Sequence, residues 1–231
     1  MPEDDHQDIQ IRVRKAARAL AGAGLVHAYG HCSQRIDDKS FLVCASKPMR
    51  LIAPGEAGDV VPIDGALPDG VLGEVRIHQA IYRLRPDVGG VARTMPPNAM
   101  SLSTLGLTPK ARHGFGAYFY PSAPLWDDPL LVRNDQAAVG VAETLGGARA
   151  VVMRGNGVVS AGDDIEQTVV FAWFLEDAAR AEWQVLHAEG AIQAGKAEEI
   201  YFSAEQAEIR AVGTGRIYER MWEFLTHGDP E

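Results

Sequence analysis

Glu74 and His78 stand four residues apart in a stretch whose apolar residues, Val75, Ile77, Ile81 and Leu84, recur at helical spacing. That spacing stacks a carboxylate and an imidazole on one helix face, within reach of a mutual hydrogen bond. A carboxylate beside a bound substrate can take or give a proton. A glutamate in a first helical turn also interacts favourably with the helix dipole, and His78 is equally well placed for a structural role. Further along, Arg93-Thr-Met95 closes one apolar run, and Val151-Val-Met-Arg-Gly-Asn156-Gly closes another. A guanidinium is planar and permanently cationic, and grips a carboxylate or an enolate oxygen with two hydrogen bonds. Arg93 in that role, with Asn156 as a neutral donor beside it, is one reading; a structural salt bridge to Glu74 is the other. A divalent metal gains little from these side chains. Arginine has no lone pair to offer, methionine is a soft donor and an asparagine carbonyl is weak on its own. His6, His27, His113, His187 and His227 show no metal-ligand spacing.

The elements that must hold these residues can be read from periodicity and punctuation. A helix is predicted over residues 8–21, stopped by Gly22 and Gly24. Two strands follow around a turn at Asp37-Asp38-Lys39, and Gly, Pro and Asp crowd residues 53–73 around a brief strand at 60–63. A helix from Glu74 ends at Arg85, before Pro86. A strand runs over 89–95, and Pro97 starts a helix to about residue 105. Asn134 caps a helix to about Leu145. Strands at 150–154 and 158–161 precede a long helix after Asp163-Asp164, and a charged, helical tail closes the chain. Periodicity alone reaches α/β or α+β, and no Gly-x-Gly-x-x-Gly or Walker loop marks a nucleotide site.

With 231 residues, 46% of them hydrophobic, the chain fits one domain with a full-sized core. A net charge of −9 argues against broad attraction to nucleic acid or an anionic membrane. No apolar run approaches the ~20 residues of a membrane span. The acidic start lacks the features of a signal peptide, and Cys32 and Cys44 read best as two buried thiols rather than a disulfide; the expected location is the cytoplasm.

The run from Glu74 through Arg85-Pro86-Asp87 to Arg93-Thr-Met95-Pro-Pro resembles the signature of the class II aldolase/adducin family. That signature is a glutamate, a helix ending in Arg-Pro-Asp, and a strand carrying two metal-binding histidines, in whose places stand Arg93 and Met95. The stretch Val151 to Asn156 resembles the strand and turn of the family's third histidine, with Asn156 at that place. Gly30-His31-x-Ser33 resembles the family's Gly-Asn-x-Ser element at the substrate pocket. Its histidine is similar to the branch that includes aromatic-acid decarboxylases, although a loop histidine capping backbone is an equal reading. Ser46-Lys47 falls near the family's substrate-anion loop, whose glycine is absent here, which argues against phosphate held by backbone donors.

The resemblance covers residues 8–190. It implies a single domain over 1–231, with a helical tail over 191–231 and a central, mostly antiparallel sheet flanked by helices. It also implies Glu74 as acid/base and His31, Ser33, Ser46, His78 and Asn156 around the substrate, while the replacement of all three ligand histidines by Arg93, Met95 and Asn156 argues for no metal or other cofactor. Homotetramers are implied too, with a neighbour's tyrosine, Tyr118 or Tyr120, completing each site. Two functions remain open. One is a metal-independent lyase that decarboxylates, cleaves or dehydrates a small carboxylated, possibly aromatic, substrate through an enolate-like intermediate. The other is a non-catalytic binding or scaffold protein on the same fold.

Overall fold

The computed structural model describes residues 3–188, 190, 193, 195 and 200–231. Its centre is a seven-stranded sheet of β1 (His31–Arg35), β2 (Ser40–Val43), β3 (Asp59–Pro62), β4 (Gly90–Thr94), β5 (Leu125–Trp126), β6 (Ala150–Met153) and β7 (Gly157–Gly162). The strand order is β3-β2-β1-β4-β7-β6-β5. Every pairing is antiparallel except β5 with β6, a two-residue edge strand that alternation in the sequence does not reveal. The result is an α/β fold, a mostly antiparallel sheet covered by helices on both faces.

Alternating side chains decide which face each helix covers. Phe41, Val43, Val91, Val151, Met153 and Val159 point to the face packed by α2 (Arg76–Leu84) and α4 (Asp135–Leu145). Cys32, Leu42 and Ala92 point to the other, under α1 (Glu3–Gly22) and the start of α5 (Ile165–His187). Ala150, Val152 and Val158 meet the rest of α5 and α3 (Pro97–Ser103) on that same side. Two short helices, α6 (Ala204–Arg210) and α7 (Ile217–Leu225), follow; of the helical tail expected over 191–231, positions 191–192, 194 and 196–199 lie outside the described residues. The Asn134 cap read from sequence forms, its side chain accepting from the Ala137 amide, and at the start of α5 the Asp164 side chain accepts from the Gln167 amide.

This alternation also places the polar residues. Arg93 follows Val91 by two, so it projects toward the α2 face, and its cross-strand partner is His31. His31 and Ser33 share that face of β1, directly beneath α2. Glu74 sits in a 3-10 turn over Gly73–Val75, just ahead of α2.

Candidate active site

Arg93 and Asn156 meet at one end of β4. The Arg93 Nη2 group donates to Asn156 Oδ1 at 2.8 Å and to the Asn156 carbonyl at 3.1 Å, and lies 3.4 Å from Glu74 Oε2. Glu74 Oε1 accepts from the Val132 amide at 3.1 Å. Arg93 is only 3% exposed. Burial lowers its pKa, and the neighbouring Glu74 carboxylate opposes that shift. Asn156 is held in place by a tight turn in which its amide donates to the Met153 carbonyl at 3.0 Å. Gly157 closes that turn with φ +93°, and a Cβ there would lie 2.1 Å from the Thr94 carbonyl oxygen, so only glycine fits.

Of the two readings of His78, the bond to Glu74 that helical spacing allows does not form, and the structural role does. Glu74 precedes α2 in a 3-10 turn, which rotates its side chain away from His78 and toward Arg93. The His78 ring instead turns down onto β1, with Nε2 2.8 Å from His31 Nδ1 and Nδ1 2.6 Å from Ser33 Oγ. Tyr82, one turn further along α2, places its hydroxyl 2.9 Å from Ser33 Oγ and 3.1 Å from the Ser33 carbonyl. Burial drives the His78 pKa down to about 3. Burial, reinforced by His78 and Arg93, holds that of His31 well below the ordinary histidine range. Both rings are therefore neutral near pH 7.

These groups line a cleft of about 630 Å³ that takes in Gly30, His31, Ser46, Lys47, Glu74, Arg93, Met95, Arg133 and Asn156. Its rim carries Tyr29, Leu131 and Leu72, which are 71%, 50% and 39% exposed. Three buried polar atoms of its lining residues have no partner in the protein: Arg93 Nε, Asn156 Nδ2 and His31 Nε2. Buried polar atoms are rarely left without partners, so these three are unmet hydrogen-bonding capacity at the cleft. Ser46 is exposed at the cleft wall, and Lys47 beside it pairs with Glu56 at 2.9 Å.

The chain's family model is the Class II Aldolase and Adducin N-terminal domain, matched over residues 11–183. This chain belongs to the class II aldolase/adducin family. It is 32% identical over 209 residues to the 3,4-dihydroxyphthalate decarboxylase of Arthrobacter keyseri, covering 81% of this chain and 83% of that protein. It is 28% identical to the enzyme of the same name from Rhodococcus jostii (strain RHA1), over 83% of this chain and 86% of that one. Among solved structures, the L-fuculose 1-phosphate aldolase of Glaciozyma antarctica PI12 superposes with a TM-score of 0.74 at 21% identity, covering 94% of this chain and 89% of that one.

Within this member of the class II aldolase/adducin family, the sequence-derived candidates separate into two groups. Glu74, Arg93, Asn156, His31 and Ser46 line one cleft, with Ser33 and His78 buried directly behind His31. Tyr118 and Tyr120 lie elsewhere. They border a second cavity with Arg85, Arg149 and Gly162, and Gly162 pairs with Gly90 at the opposite end of β4 from Arg93. Tyr118 is buried, and its hydroxyl donates to the Val212 carbonyl at 2.6 Å. Tyr120 is 43% exposed. Neither tyrosine reaches the cleft of its own chain. Sequence reading missed Tyr82, Arg133 and the apolar rim. Tyr82 was detectable, since it stands four residues after His78 on the same helical face.

Proposed function

We propose that this protein is a decarboxylase-type lyase for a small aromatic polycarboxylate, with 3,4-dihydroxyphthalate as the first substrate to test. The observation that carries this reading is the buried Arg93, with Nε unpartnered, beside Asn156 and Glu74 in a cleft fringed by Lys47 and Arg133. Arg93 Nε and Asn156 Nδ2 are donors placed to take a carboxylate that has left water, and the Arg133 cation at the wall suits a second one. Loss of CO2 breaks the bond between ring and carboxyl carbon and leaves its electron pair on the ring, where a proton replaces the carboxyl group. Hydroxyl groups on the ring donate the electron density that lets the ring carbon take the proton before CO2 leaves, Arg93 holds the carboxylate, and Glu74, once protonated from solvent, is placed to deliver that proton.

We also read the reaction as independent of a divalent metal. Arg93 brings only donors, and it already occupies the Asn156 carbonyl oxygen. Of the four ring nitrogens of His31 and His78, three are committed to each other and to Ser33. Among the described residues no three His, Cys, Asp or Glu side chains form a group able to hold a metal. This donor set does not fit zinc, iron or manganese. Arg93, Met95 and Asn156 are read as standing in the places of the family's histidines.

The assembly that fits is a homotetramer with the cleft at a subunit boundary, because Tyr29, Leu72 and Leu131 leave an apolar rim that a neighbour would cover. Buried, unlinked Cys32 and Cys44 suit a reducing cytoplasm. The Arg93–Glu74 ion pair also favours a second reading, a binding protein with no turnover. Chelator-treated protein incubated with 3,4-dihydroxyphthalate tests both. CO2 release at an undiminished rate supports the metal-free lyase, and activity restored only by added metal overturns that part. Tight binding without turnover would establish the second reading.

A further inference from the structure

Tyr82, Ser33, His78 and His31 form one unbroken hydrogen-bonded chain beneath α2, and the direction of each link can be followed from its far end. A backbone carbonyl can only accept, and the Tyr82 hydroxyl lies 3.1 Å from that of Ser33, so the phenol proton is directed there. The phenol oxygen is then free to accept from the Ser33 hydroxyl at 2.9 Å. Ser33 Oγ, its own proton committed, accepts from His78 Nδ1 at 2.6 Å. A neutral imidazole has one N–H, so His78 Nε2 is bare and accepts from His31 Nδ1 at 2.8 Å. His31 has then used its only proton, and Nε2 carries a lone pair. That atom is buried, has no partner in the protein, and belongs to a residue lining the cleft. The cross-strand neighbour of His31 is Arg93, beside which a bare nitrogen is favoured over an N–H.

The geometry points to His31 Nε2 as a fixed hydrogen-bond acceptor for a hydroxyl group of the bound ligand, with Tyr82 as the positioning residue that sets its tautomer through Ser33 and His78. The cleft then offers two donors and one acceptor: Arg93 Nε and Asn156 Nδ2 for a carboxylate, and His31 Nε2 for a neighbouring hydroxyl. A ring bearing adjacent carboxylate and hydroxyl groups satisfies all three. His31 holds the hydroxyl proton by a hydrogen bond without removing it, since burial and the neighbouring Arg93 disfavour an imidazolium there, and that bond leaves more electron density on the oxygen that feeds the ring. The choice of ligand rests on the proposed decarboxylase function; the tautomer assignment does not.

Long-range proton–nitrogen correlation spectra of nitrogen-15-labelled protein read the tautomers directly, because a bare ring nitrogen is strongly deshielded relative to one bearing hydrogen. The His31→Asn variant identifies the His31 signals. In the native protein both His31 and His78 are expected with hydrogen on Nδ1 and a bare Nε2; hydrogen on His31 Nε2 overturns the proposal without any variant. In Tyr82→Phe the Ser33 hydroxyl is released to donate to His78 Nδ1, so both rings should switch to the Nε2–H form. A folded variant with unchanged tautomers removes Tyr82 from the proposal. The same variant should bind 3,4-dihydroxyphthalate about tenfold more weakly, one hydrogen bond's worth, and bind phthalate, which lacks the hydroxyls, within about twofold of native protein. Equal loss for both ligands would mean a structural role only and overturn the ligand assignment. Native tautomers as expected, with neither dicarboxylate bound, would leave the acceptor standing and overturn the proposed function instead.

Discussion

Arg93 keeps a full charge in a place that is 3% exposed, and a buried charge persists only where its surroundings replace water. Nη2 is answered by Asn156 and Glu74, while Nε is answered by nothing in the protein. Arg93→Ala should therefore abolish measurable turnover and weaken anion binding by on the order of 2–4 kcal/mol, with the fold retained by circular dichroism. Arg93→Lys should recover only part, because an ammonium cannot supply the planar pair of donors. Unchanged affinity in the alanine variant would remove Arg93 from the site. Residue types made this centre legible before any coordinates: a guanidinium, a carboxylate and an amide in a framework of family resemblance. Their pairing was legible as one of two options, and the distances show that an ion pair and an open donor coexist on the same side chain.

Between elements, the junction of α2 with β1 is what the sequence reading left open. Helical spacing joins Glu74 to His78, but the 3-10 turn at Gly73–Val75 breaks that register, and no local rule says which strand residue a helix face will meet. The buried His78 has a pH signature. Its folded pKa is about 3, against 6.5 for a free histidine, so between those values the unfolded chain binds a proton that the folded chain refuses. Its stabilising contribution is complete above pH 6.5 and is lost as pH falls toward 3, and His31 acts in the same direction. Thermal melts from pH 7 to pH 4 should show a falling Tm, with a shallower slope in His78→Gln; an equal slope would place the pH sensitivity elsewhere. Gly157→Ala should cost more than ~1 kcal/mol, since it combines a positive φ with a Cβ 2.1 Å from the Thr94 carbonyl, and should also shift Asn156 and weaken ligand binding. Asn134→Ala, which removes only the α4 cap, should cost about 1 kcal/mol and leave binding untouched.

For the whole molecule, the apolar rim of Tyr29, Leu72 and Leu131 argues for assembly, and the placement of the tyrosines narrows how it would work. Tyr118 is committed to the Val212 carbonyl of its own chain, whereas Tyr120 is 43% exposed and available to a neighbour. Sedimentation at micromolar concentration should show a tetramer; a clean monomer would refute the assembly. Mixing Arg93→Ala chains with Tyr120→Phe chains should regain some activity if sites are shared between subunits, and none if each chain builds its own. The equivalent mixture with Tyr118→Phe should gain nothing.

Sequence alone determined the succession of helices and strands apart from β5, the cap at Asn134, and the presence of Arg93, Glu74 and Asn156 in a class II aldolase/adducin framework. Those are local facts: periodicity, chain punctuation and motif spacing act over a few residues at a time. What only the tertiary structure decided is which distant residues touch. Strand order brings β4 between β1 and β7, so His31 faces Arg93 across 62 positions of chain, and the turn before Gly157 carries Asn156 to the same point. The packing angle of α2 then decides that His78 and Tyr82 serve β1 rather than Glu74. Side-chain partnership across a sheet depends on register and on helix docking, which arise from burying the whole apolar core at once.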